Sequence, residues 1–101
     1  IDIRVGTIKL VDDVEDSDRL LKFTVDFGDF TRTILCGMKK ESKDPKAEVE
    51  GRQALFVVNL EPWKIFGIES HGILYDIGYE DGITPVLAVP EKEVPNGIRV
   101  G

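Results

Sequence analysis

Residues 1–10 read Ile1-Asp2-Ile3-Arg4-Val5-Gly6-Thr7-Ile8-Lys9-Leu10. Ile1, Ile3 and Val5 alternate with Asp2 and Arg4, the two-residue period of a strand with one buried face. After Gly6 the apolar positions change parity to Ile8 and Leu10, as happens when a strand bulges or bends at a glycine. The stretch predicts one long first strand, coiled near Gly6. The chain begins at Ile1 rather than Met, directly in this strand pattern, and so reads as trimmed from a longer one.

Beyond it comes an acidic loop with Asp12, Asp13, Glu15, Asp16 and Asp18. Leu21, Phe23 and Val25 then alternate with Lys22, Thr24 and Asp26 in a second strand, and Phe27-Gly28-Asp29 makes the turn. A third strand runs from Phe30 to Leu35, with Arg32 between Phe30 and Ile34 in the same register. The only helix signal falls within Lys39 to Gly51. Asp44 is suited to cap it, Pro45 to the first helical position and Gly51 to its end, which allows one or two turns. Ala54 to Leu60 is a nearly continuous apolar run and reads as a buried strand. Glu61 to Gly67 reads as a loop and Ser70 to Ile77 as a fifth strand. Asp81-Gly82 gives a hairpin-type turn, Pro85 to Val89 a short extra strand between prolines, and Pro90 to Gly101 an irregular tail. Three strands, a short helix and two strands is the order of an all-β fold, the five-stranded oligonucleotide/oligosaccharide-binding (OB) barrel, although other small β-barrels can read similarly.

The 101 residues hold 13 Lys plus Arg against 19 Asp plus Glu, a net charge of -6, with 42% hydrophobic residues. One domain spanning 1–101 is expected at this length. One cysteine, Cys36, excludes an internal disulfide framework and a multi-thiolate zinc site, and fits a cytoplasmic chain. No apolar run approaches the roughly 20 residues of a membrane-spanning helix, so no membrane role is expected. The acidic balance opposes a general binder of phosphate backbones, which relies on Lys and Arg.

Ser70 and His71, with Asp76 nearby, suggest a hydrolase, but neighbours on a strand face opposite ways and cannot pair as nucleophile and base. Cys36 reads as a small packed residue. The acidic loop lacks the glycine and closing glutamate of an EF-hand, so no metal or other cofactor is expected. Lys39, Lys40, Lys43 and Lys46 follow the strand that carries Arg32 and can extend a local positive strip. Glu61-Pro62-Trp63-Lys64-Ile65-Phe66-Gly67 sets Trp63 and Phe66 around one lysine in the connection between strands four and five, where aromatics can stack on bases.

Four blocks together resemble a known family. Asp2-Ile3-Arg4-Val5-Gly6, Asp18-Arg19-Leu20, Thr31-Arg32-Thr33-Ile34 with Cys36-Gly37, and Asn59-Leu60-Glu61-Pro62-Trp63-Lys64 through Gly67, Glu69-Ser70 and Gly72 look like the tRNA-binding domain of the methionyl-tRNA synthetase C-terminus and its free-standing relatives. The tail from Pro90 to Gly97 is similar to the extension of the homodimeric members. The resemblance implies a non-catalytic OB barrel that holds the tRNA elbow by shape, pairs into a homodimer through its C-terminal extension, and serves as an appendage or accessory subunit of an aminoacyl-tRNA synthetase. It assigns Arg32, Asn59, Lys64 and Ser70 to the binding groove, beside Lys39, Lys40, Trp63 and Phe66. Trp63 and Phe66 stand where the family often has basic residues. A protein-interaction or chaperone-like dimer that has lost tight tRNA binding therefore stays open as the alternative.

Overall fold

A computed structural model of the chain describes residues 1–37 and 44–101. Its strands are β1 (Ile3–Asp13), β2 (Leu21–Asp26), β3 (Thr31–Cys36), β4 (Gln53–Val57), β5 (Trp63–Ile65), β6 (Ile68–Ser70), β7 (Ile73–Leu74), β8 (Asp76–Ile77) and β9 (Val86–Leu87). One short helix, α1 (Pro45–Val49), precedes β4, and a 3-10 turn covers Tyr79–Asp81.

Five strands form one antiparallel sheet in the order β3-β2-β1-β4-β7. β1 serves both halves: Ile3 to Thr7 pair with β4, and Thr7 to Asp13 with β2. The sheet curls until its ends meet. His71 N–H donates to Thr33 O at 2.9 Å, and Leu35 N–H donates to Ser70 Oγ at 3.0 Å. The result is a nearly closed barrel of the OB type, mostly β, as the element order predicts. Ile8, Phe23, Val25, Ile34, Ala54 and Phe56 fill it. Phe27 stacks on Phe30 with centroids 5.2 Å apart and meets Phe56 edge-on at 5.6 Å.

The helix forms where its caps predict. Asp44 Oδ1 accepts the Ala47 N–H at 3.2 Å and Pro45 opens the first turn. Val49 is buried in the core, and Glu50 fastens the helix to β1 by accepting the Val11 N–H at 3.0 Å.

Gly6 plays a different part from the expected one. Pairing with β4 runs through it without a slip, and a Cβ there would lie 2.6 Å from Val25 Cγ1 and 2.8 Å from Phe27 Cε1. Gly6 thus faces inward with Ile8, and its missing side chain is what lets Phe27 approach the wall. The register shift falls between Ile8 and Leu10 instead, so Val11 is buried and Leu10 is exposed.

Three further boundaries move. Strand four ends at Val57 rather than Leu60, where Val58 N–H turns to Asp2 O at 2.9 Å. The expected fifth strand breaks into pieces at Gly72, whose φ of 133° and 3.0 Å approach of a would-be Cβ to Val57 O would strain any other residue. Glu61–Gly67 is not a plain loop, because β5 and β6 pair as a hairpin.

The tail forms no regular strand, as expected, but it is tied to the barrel. Val5 N–H donates to Ile98 O at 3.0 Å, Gly97 N–H to Val5 O at 2.8 Å and Val100 N–H to Ile3 O at 2.8 Å. Gln53 anchors it, its Nε2 donating to Val94 O at 2.6 Å and to Asn96 Oδ1 at 3.0 Å. The tail therefore occupies the edge of β1 that β2 does not reach.

Candidate nucleic-acid interface

The predicted site residues divide between two places. The first gathers Arg32 and Asn59. Arg32 lies half-buried with its Cζ 4.6 Å from the centre of the Phe30 ring, and its Nη1 donates to Val58 O at 3.1 Å and His71 O at 3.4 Å. A cation over a ring is attracted by the ring's quadrupole. One nitrogen thus ties the segment that leaves β4 to the one that joins β6 to β7. Among the described residues no carboxylate pairs with Arg32, which leaves the rest of its five-donor fork for an outside acceptor.

Asn59 accepts the Asp2 N–H through Oδ1 at 2.8 Å, leaving its amide N–H groups to face outward. Arg4, a residue the sequence offers no signal for as a site member, completes this group. Its Nε and Nη2 each donate to the Asp2 carboxylate at 3.1 Å, and its Cζ stands 6.0 Å from the Phe30 ring. The Arg4 hydrogen bond is the largest influence holding the Asp2 carboxyl below its ordinary pKa, and the same bond raises that of Arg4. Phe30 is the shared platform that links the two arginines.

The second place is the β5–β6 hairpin. Trp63 pairs with Ser70 and Lys64 with Glu69, so Lys64 projects from the hairpin with an acidic neighbour across it. The turn is Phe66-Gly67, with φ of 52° and 77°, the left-handed pair of a two-residue hairpin turn usually made by Asn-Gly. A phenylalanine there is an outlier, because its Cβ crowds the backbone. Phe66 is nevertheless 53% exposed, and Trp63 is 40% exposed.

Ser70 has another position. It is wholly buried, its hydroxyl accepting the Leu35 N–H and donating to Gly72 O at 3.3 Å. The hydroxyl holds β3 to the broken fifth strand and serves neither as a nucleophile beside His71 nor as an outward contact. Lys39 and Lys40 lie outside the described residues. Cys36 is buried at the end of β3. Among the described residues no three His, Cys, Asp or Glu side chains gather as metal ligands, and no helix is long and apolar enough to cross a membrane.

Residues 3–99 match the family described as "Putative tRNA binding domain". The chain belongs to this family. It is 43% identical over 100 residues to a methionine-tRNA ligase of Methanothrix thermoacetophila, covering 99% of this chain and 14% of the ligase. The chain spans about one seventh of the length of the curated relatives it matches. Among solved structures, a MetRS-related protein from Pyrococcus horikoshii superposes with a TM-score of 0.89 at 39% identity, over 99% of this chain and 89% of that one. The chaperone CsaA of Bacillus anthracis superposes with a TM-score of 0.83 at 25% identity, over 99% and 90%. The chain is thus similar both to synthetases and to a chaperone, the two classes between which the sequence leaves the choice open.

Proposed function

We propose that the chain is a non-catalytic, structure-specific tRNA-binding module of the cytoplasm, working as a homodimer and as an appendage or accessory subunit of methionyl-tRNA synthetase. The observation that carries this reading is the hairpin tip. Phe66 holds a left-handed backbone that costs an aromatic residue about 1–3 kcal/mol and stands exposed at the turn that follows Trp63 and Lys64. Strain of that kind is retained where the presented side chain is used. Lys64 supplies a phosphate contact, Trp63 and Phe66 stacking surfaces, and the free donors of Arg32 and Asn59 contacts to backbone oxygens.

Titration with bulk tRNA between about 50 and about 200 mM salt tests it. Binding is expected to fall steeply with salt, and Lys64→Ala should weaken it and flatten the log–log slope by about 1. No binding at the lower salt, or an unchanged slope in the variant, would sink the proposal.

The homodimer is supported by the exposed apolar side chains Tyr75, Ile77, Ile83 and Val86. Ile77 and Val86 are cross-strand partners, so they form one stripe. The tail, by contrast, is engaged on its own barrel. Sedimentation should give a dimer that Ile77→Asp dissociates; a monomeric wild-type chain ends this part of the proposal.

The second reading, a chaperone-like protein-binding dimer, is favoured by the likeness to CsaA and by the exposed aromatic residues Trp63 and Phe66 of the hairpin. It predicts salt-insensitive suppression of the aggregation of an unfolded test protein, lost in Trp63→Ala.

A further inference from the structure

Beside the hairpin lies an open pocket of about 310 Å³, within the roughly 300–1,000 Å³ typical of small-molecule sites. Trp63 of β5 and Tyr79 of the 3-10 turn line it from different elements, with Leu35 and Cys36 of β3 among its apolar walls. Two charged groups complete it. Arg19, from the loop before β2, passes over Gly37, where an added Cβ would be 3.7 Å from Arg19 Nη2. Asp76, the first residue of β8, is half-buried, whereas Tyr75 and Ile77 on either side are exposed. Asp76 is itself one of the residues that line the pocket.

We propose that this pocket takes one unstacked guanine base of an RNA together with its phosphate, an assignment that rests on the tRNA-binding reading above. Exposed aromatic faces accept any base by stacking. The carboxylate adds selectivity, because an ionised carboxylate only accepts hydrogen bonds. Guanine offers two adjacent donors, N1–H and N2–H2, on its Watson–Crick edge, whereas adenine sets one donor beside an acceptor that the carboxylate repels. Arg19 at the rim is placed for the phosphate, which a guanidinium grips with paired donors.

Trp63 is the chain's single tryptophan and reports on the pocket by its own fluorescence. GMP, AMP, CMP and UMP are titrated separately at fixed ionic strength. GMP is expected to quench Trp63 saturably, with AMP weaker by roughly tenfold or more, the discrimination of one good bidentate contact. Asp76→Asn should erase that preference, and Arg19→Ala should weaken GMP while leaving guanosine unchanged. Equal quenching by all four nucleotides, or none, overturns the assignment, and this comparison on the wild-type chain decides even if a variant fails to fold. A parallel tRNA titration separates the two proposals. Salt-sensitive tRNA binding without a GMP response overturns the pocket alone, and a GMP response without tRNA binding overturns the tRNA reading alone.

Discussion

Phe66 carries the sharpest trade between stability and use. Asn tolerates the left-handed conformation that Phe66 is forced into. Phe66→Asn should therefore relieve about 1 kcal/mol and raise the thermal midpoint by roughly 4 °C or more, the usual scale for a domain of this size. The same change removes a stacking surface worth ~1–3 kcal/mol, so tRNA affinity should fall while the melting curve improves. A variant that both melts lower and binds as well would contradict this account. Asp2 gives a second prediction at this scale. Because Arg4 depresses its folded pKa, the folded state binds the proton less readily than the unfolded chain. Its contribution is present above the ordinary carboxylate pKa and is lost as pH falls through the depressed value. Asp2→Asn should be less stable than the parent at neutral pH, with the gap closing in acid, as followed by denaturant melts across pH.

Among the elements, the tail makes the strongest prediction. A chain cut before Pro90 loses the hydrogen bonds to Ile3, Val5 and Gln53 and uncovers Val5. Its denaturant midpoint should drop markedly, so truncation would report on folding before it reported on dimerisation. The elements that were legible are those whose signals are local: the alternation of β2, the cap and proline of α1, and the order that leads to the barrel. The hairpin was hidden because Trp63 to Ile65 and Ile68 to Ser70 are each three residues long, too short for a period to show, and the turn lacks its usual Asn-Gly. The tail was hidden because its pairing partner lies some 90 residues away in sequence and Val5 looks the same whether its cover is the core or a returning chain. At the site, Trp63, Lys64 and Phe66 stood out by composition. Arg4 did not, since only folding brings it to Phe30, and nothing in the residues around Ser70 distinguishes a wall bond from a ligand bond.

For the molecule as a whole, the charge of -6 is unevenly placed. Glu15 and Asp16 sit exposed in the loop between β1 and β2, away from any cation pairing found among the described residues. Glu15→Gln with Asp16→Asn should raise tRNA affinity a few-fold at low salt and leave it unchanged at high salt, since unshielded repulsion between exposed charges fades beyond a Debye length of about 10 Å at 0.1 M. Filter binding at two ionic strengths reads this directly. Affinity in such a molecule is governed by where cations are held clear of the acids rather than by their sum.

The edge of β1 that the returning tail covers also has a timetable. Residues 97–100 leave the ribosome only after residues 3–5 and nearly the whole barrel between them. At the usual 5–20 residues per second this leaves a naked strand edge for on the order of ten seconds during synthesis. An open edge is a template for pairing with another chain. Newly made copies are thus most vulnerable to each other while still attached to the machinery that translates with the very adaptor they are proposed to hold.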